Sequence, residues 1–280
     1  MDKATQRKQE LYAAKMRKLI VEGVYQAQSG HPGGSLSCTD IFAYLYGEKL
    51  RIDPKKPHNP DRDRVVLSKG HCAPALYAAM ALRGFFPPEE MKNLRKIHSK
   101  LQGHPCMTEI AGVDMSTGSL GQGIAAAVGM ALAGKMDKKD YRVYTVLGDG
   151  ELQEGQVWEA KMAAAHFKLD NLTAFVDWNG LQIDGPNDEV MSLGSIPDKA
   201  RAFGWHVIEI DGHDFAQIEA AVSEAETVKG KPTMIIAKTH KGQGVSFMVD
   251  NASWHGSAPN TEQYEIAMKE LDAAIASLEV

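Results

Sequence analysis

The chain has 280 residues, 44% of them hydrophobic, and a formal net charge of -5. That is about one large domain, with enough apolar material for a substantial core. The charges are interspersed with no basic stripe for nucleic acid, and three cysteines, Cys38, Cys72 and Cys106, are odd in number and far apart in sequence, which argues against a disulfide framework.

From the N-terminus, MDKATQRKQELYAAKMRKLIVEGVYQAQSG reads as a charged amphipathic helix. It lacks the uninterrupted apolar stretch of a signal peptide or membrane span, so a cytoplasmic location and no membrane partner are expected. The Gly/Pro-containing segment Ser29–Tyr46, with His31, comes next. Val65–Leu67 is a predicted strand leading into the loop of His71 and a helix over Ala73–Arg83. Leu101–Pro105 carries His104, and Gly112 opens a turn ending in a helix over Gly121–Ala133. Strands are predicted at Val143–Leu147, Leu172–Val176, Trp205–Ile210 and Thr233–Lys238, with helices at Gln156–Phe167 and Phe215–Val228. Gly185–Pro197 shows no periodicity and reads as a loop. Lys241–Asn260, rich in Gly, His and Asn and containing His255, is expected to cover a site, and the last residues form another amphipathic helix pattern. Strands alternating with helices predict a doubly wound, mostly parallel sheet with helices on both faces.

The most informative stretch runs from Gly148 to Asn179. A β-branched run stops at Gly148-Asp149-Gly150, a helix comes after it, and a second such run ends near Asn179. Ligands in open parallel sheets bind beyond the carboxyl ends of the strands, where Asp149 and Asn179 are expected. Magnesium takes about six oxygens, one or two from carboxylates and the rest from phosphates, carbonyls and water. Asp149 supplies charge and Asn179 a neutral oxygen. Gly148 and Gly150 let backbone amides approach a diphosphate. A glycine-flanked aspartate alone is only a turn; the asparagine at the next strand end makes it a magnesium-diphosphate motif.

This pattern resembles the thiamine-diphosphate motif in the form written by transketolases, G-D-G-x-x-x-E-G followed by E-A, here ending in Glu154, Gly155, Glu159 and Ala160. The resemblance extends in order along most of the chain: the G-H-P-G segment at His31, the S-x-G-H-x-x-P-x-L-Y pattern at His71, the Q-G-H-P motif at His104, the T-G-x-L-G-Q-G turn from Thr117, K-T-x-x-G-x-G at Lys238, and the H-G piece at His255. It departs from the family at Trp178, Ser119 and Gly180. Gly180 is expected to loosen the backbone that presents the Leu181 carbonyl.

The resemblance implies the thiamine-diphosphate-binding fold and a ketol transfer in which a two-carbon glycolaldehyde unit passes from a ketose phosphate to an aldose phosphate. Asp149, Asn179 and the Leu181 carbonyl would hold Mg2+, for which Ca2+ or Mn2+ may substitute. Gly118, Leu120, Gly148, Gly150, Glu154, Ile183, His71 and His255 would hold thiamine diphosphate. His31, His71, His104 and His255 would be the catalytic histidines, with His31 and His104 on the donor sugar's hydroxyls, and imidazole suits that task because it exchanges protons near neutrality. Glu154 and Glu159 would lie at a subunit interface. Of the remaining histidines, His240, inside the K-T-x-x-G-x-G piece, is the one most apt for a role.

Transketolases of ordinary length carry a pyrimidine-binding and a C-terminal domain as well. The chain, read as one diphosphate-binding domain over residues 1–280, is expected to be inert alone and to work with a partner chain bearing those domains, as an α2β2 assembly. The alternatives are a subunit of a 2-oxo-acid dehydrogenase or deoxyxylulose-phosphate synthase type, and a regulatory protein that keeps the fold without catalysis. The histidines and the E-G-x-x-x-E-A spacing speak against the first. Intact motif residues speak against the second.

Overall fold

The computed structural model describes residues 1–279. In chain order the helices and strands are α1 (Lys3–Ala27), α2 (Pro32–Ser37), α3 (Thr39–Tyr44), β1 (Arg64–Leu67), α4 (Ala73–Arg83), α5 (Gln122–Met136), β2 (Val143–Gly148), α6 (Gly155–His166), β3 (Leu172–Trp178), β4 (Leu181–Gln182), β5 (Gly185–Pro186), α7 (Asn187–Met191), α8 (Ile196–Ala202), β6 (His206–Asp211), α9 (Phe215–Thr227), β7 (Thr233–Lys238) and α10 (Thr261–Leu278).

Five strands form one sheet in the order β1-β2-β3-β7-β6, every neighbouring pair parallel. Parallel strands bury both faces, so their side chains alternate between two cores. On β2, Tyr144 and Val146 enter the core shared with α1, α3, α4 and α9, while Val143 and Leu147 enter the one shared with α5, α6 and α8. β7 repeats the pattern with Ile235 and Ala237 on the first face and Met234 and Ile236 on the second. The strands are joined by crossovers that carry helices, as parallel pairing requires.

The flanking helices start and stop for local reasons. Asp2 caps α1 by accepting from the Thr5 amide, and Gln28 ends it in the left-handed region at φ 48°. Asn260 and Gln263 close the start of α10 with a reciprocal capping box. α10 runs antiparallel along α1: Tyr264 stacks on Tyr25 at 4.0 Å, and Arg7 donates to the carbonyls of Ser277 and Leu278. No helix among the described residues is long and apolar enough to cross a membrane.

The sequence reading of Gly185–Pro197 as an irregular loop is corrected. The segment folds as the second arm of the β4-β5 hairpin, then α7, then the start of α8. α7 has one turn of length and mostly exposed side chains, so it lacks the apolar repeat that would have announced it. α8 is announced by Ser195, which caps it by accepting from the Asp198 amide, with Pro197 in its first turn.

Two features set local stability. A Cβ on Gly123, in the first turn of α5, would lie 2.5 Å from the Ser68 Cα just beyond β1, whereas one on Gly129 in the same helix would meet nothing within 4 Å. Gly123→Ala is therefore expected to destabilise the chain by about 1–3 kcal/mol through overpacking, and Gly129→Ala to be neutral or stabilising by up to about 1 kcal/mol, measured by urea unfolding. The Lys161 ammonium, in the core beside α6, has no hydrogen-bond partner among the described residues and lies 4.0 Å over the Trp158 ring. Burial, with the charge of Lys199 adding to it, lowers its pKa to about 8. Below pH 8 the folded chain bears the full cost of that charge, and the cost fades as pH rises toward the value of a free lysine. Lys161→Met is expected to stabilise the protein by roughly 1–3 kcal/mol at pH 7, with the gain shrinking as pH rises above 8. A gain independent of pH would contradict this.

Candidate active site

Four adjacent strands end on the same side of the sheet, and the residues just past each end build the site. Ser68, Lys69 and His71 lie beyond β1; Asp149 beyond β2; Asn179 and Leu181 beyond β3; Thr239 and Lys241 beyond β7. Lys69, His71, Asp149, Asn179, Leu181 and Lys241 line a cavity of about 380 Å³. Its lining includes His31, His71, Gly118, Leu120, Gly148, Asp149, Gly150, Glu154, Asn179, Leu181, Ile183 and His255. His104 is set back behind Gly118, where a Cβ would come within 3.2 Å of its ring. The turn therefore needs glycine for contact as well as for its φ of 156°.

Asp149 is 2% exposed, and its two oxygens accept from the amides of Gly150 at 2.8 Å and Gly180 at 2.6 Å. Burial first, and the nearby charge of Asp177 second, push its pKa up to about 6. No side-chain cation pairs with it among the described residues. The Asn179 Oδ1 accepts from the Leu181 amide at 3.1 Å. One desolvated carboxylate, one amide oxygen and one carbonyl, with backbone amides nearby, form an all-oxygen set whose carboxylate has no side-chain cation of its own. They fit a hard divalent cation whose remaining ligands come from a diphosphate. Gly180 presents the Leu181 carbonyl from a defined turn. Its φ of 77° is one only glycine adopts freely, its N–H is tied to Asp149, and Leu181 is paired in the β4-β5 hairpin.

Behind this set lies Asp177, fully buried at the end of β3. It accepts from Ser37 Oγ and Lys69 Nζ, each at 2.5 Å, from Thr239 Oγ1 at 2.5 Å, and from the Asn179 side-chain amide at 3.2 Å. Lys69 also donates to the Gly34 carbonyl at 2.9 Å. Glu151, 2% exposed, plays a matching part by accepting from Ser68 Oγ at 2.5 Å and the amides of Gly121 and Gly148 at 2.8 and 3.0 Å. Lys241 Nζ donates to the Leu181 carbonyl at 3.1 Å and lies 3.0 Å from His255 Nδ1. Sequence reasoning missed Asp177, Glu151, Lys69 and Lys241. The signal for Asp177 and Lys69 was a charged residue closing an apolar strand, where water is absent and a partner is required.

The rings of His31, His71 and His255 are mutually within 5.1–5.5 Å, and His104 is 6.4 Å from His31. Burial lowers the pKa of His31 to about 4 and of His255 to about 3, helped in the first by His71 and in the second by Lys241. Both rings are neutral at physiological pH. His240 stands outside the cluster: its Nδ1 meets Asp250 at 2.9 Å, and its backbone N–H donates to His213 Nε2. Cys38 and Cys72 are buried, and Cys106 is partly exposed.

A parallel sheet with a buried carboxylate and further oxygens at its strand tips and neutral imidazoles facing them has the form of a diphosphate-binding α/β domain. Residues 8–274 match the family of the transketolase, thiamine diphosphate binding domain, and the chain belongs to that family. It is 46% identical, over 96% of both chains, to an apulose-4-phosphate transketolase subunit of Phocaeicola vulgatus, and 48% identical, over 92% of this chain and 94% of the other, to 6-deoxy-6-sulfo-D-fructose transketolase subunit SqwG of a Clostridium species. Human transketolase is 44% identical over 95% of this chain, which spans 42% of that enzyme's length. Among solved structures, Campylobacter jejuni transketolase superposes with a TM-score of 0.85 at 32% identity, covering 100% of this chain and 48% of that one.

Asp149→Ala is expected to abolish magnesium-dependent thiamine-diphosphate binding by the chain in calorimetric titration while circular dichroism stays native. Unchanged affinity in that variant would remove the site.

Proposed function

We propose that the chain is the diphosphate-binding subunit of a two-chain, thiamine-diphosphate-dependent transketolase working in the cytoplasm. The observation that carries this is the convergence of Asp149, Asn179 and the Leu181 carbonyl on the cavity faced by the histidine cluster. In this reading those three hold Mg2+, and Gly150 and His71 meet the diphosphate. Gly118, Leu120 and Ile183 pack on the cofactor, and His255 faces both it and the sugar. The cofactor, when bound, supplies the nucleophilic carbon and electron sink that no side chain here provides. The protein's share is to orient the ketose, exclude water and place imidazoles on its hydroxyls, with His31 and His104 at the oxygen where charge builds.

A partner chain carrying the pyrimidine-binding domain completes the site, as an α2β2 assembly. Supporting this, the relatives of similar extent bear subunit names, and the neighbourhood of the cavity has exposed Glu154 and Glu159 together with Ile183, Met162 and Met191, which are 64%, 55% and 62% exposed. Apolar side chains at that exposure near a site are what an interface covers. The substrates are sugar phosphates, a ketose donor and an aldose acceptor.

The test is co-purification with a chain bearing the pyrimidine-binding domain, followed by an assay of two-carbon transfer from xylulose 5-phosphate. Activity is expected only with both chains, Mg2+ and thiamine diphosphate together. Decarboxylation of pyruvate without ketose turnover would instead support the 2-oxo-acid class.

A further inference from the structure

Arg95 joins two histidine-bearing loops. It lies just past the short 3-10 turn Pro88–Asn93 in the left-handed region, at φ 59°, which costs a non-glycine residue energy. Its backbone N–H donates to the Leu101 carbonyl at 2.8 Å, which fixes the turn leading to His104. Its guanidinium crosses to the other histidine loop, where Nη1 donates to Ser29 Oγ at 3.0 Å and Nη2 lies 3.3 Å from His31 Nδ1. A Cβ on Gly103 would come within 2.9 Å of the guanidinium carbon, so the neighbouring residue is also shaped to admit it.

The chemistry of that contact allows one arrangement. A guanidinium has five N–H donors, no acceptor, and stays protonated at any pH the protein survives. The His31 Nδ1 atom facing it must therefore offer its lone pair, and the neutral ring then carries its single proton on Nε2. Burial keeps the ring neutral, as its depressed pKa shows. His104 has no hydrogen bond at either ring nitrogen among the described residues, so its tautomer is free.

Resting on the transketolase reading above, we propose that Arg95 is a positioning residue that fixes His31 as an Nε2–H donor. His31 then meets a substrate oxygen only as a hydrogen-bond donor, able to steady negative charge growing there and unable to take a proton through that nitrogen.

The test reads the imidazole itself. In the full chain labelled with 15N-histidine, long-range 1H–15N correlation at pH 7, assigned with His31→Gln, is expected to show His31 with an unprotonated Nδ1 and a protonated Nε2. In Arg95→Met the two nitrogens should move toward the averaged shifts of a mixed tautomer, and Arg95→Lys, which keeps one donor, should restore part of the wild-type pattern. In the reconstituted enzyme Arg95→Met should lower kcat about tenfold with little change in KM, the loss expected when a donor that acts as charge develops is no longer aligned. A wild-type His31 protonated on Nδ1, or shifts unmoved by Arg95→Met, would overturn the proposal whether or not the complex is a transketolase. Should Arg95→Met fail to fold, the wild-type tautomer and Arg95→Lys still decide.

Discussion

One buried carboxylate organises this molecule. Asp177, near the end of β3, is fully buried, and four donors converge on it from the end of β1, the end of β7, helix α2 and the asparagine two residues on. A buried ion pair costs much of its Coulomb gain in desolvation, so Lys69–Asp177 contributes little net stability. Removing either partner, however, would strand a charge at about 3–5 kcal/mol. The pair therefore acts as a clamp, holding three strand tips and the His31-bearing segment in one register. The distances within the cavity are set by it.

The clamp also divides the charge. Lys69 pairs with Asp177, the Lys241 ammonium sits on the Leu181 carbonyl, and no side-chain cation pairs directly with Asp149 among the described residues. Desolvation and the adjacent negative charge then raise the pKa of the carboxylate that lacks a side-chain partner. In the proposed reading a divalent cation would relieve that cost. The imidazoles of His31 and His255 opposite are held neutral by burial, so they act as hydrogen-bonding groups.

Much of this was legible in the sequence. β7 and α4 were read to the residue, because β-branched runs and an alanine-rich helix between proline and glycine have few other interpretations. Glycine, acidic charge and strand periodicity coincide at Asp149 and Asn179, and both line the cavity. What escaped is everything whose meaning depends on tertiary neighbours. Asp177 looks like any residue in a strand until Lys69, 108 positions away, is brought to it. Arg95 carries no periodic signal, since its partners Ser29 and His31 come from a different loop. α7 was missed because a single exposed turn has no apolar face to repeat.

The central claim is that the strand tips of β2 and β3 grip one divalent cation together with a diphosphate. Crystals grown with thiamine diphosphate and Mn2+, measured at the manganese edge, test it directly. One anomalous peak is predicted at roughly 2–2.4 Å from the Asp149 carboxylate, the Asn179 Oδ1 and the Leu181 carbonyl. A peak elsewhere, or diphosphate density with no metal at those three oxygens, would contradict it.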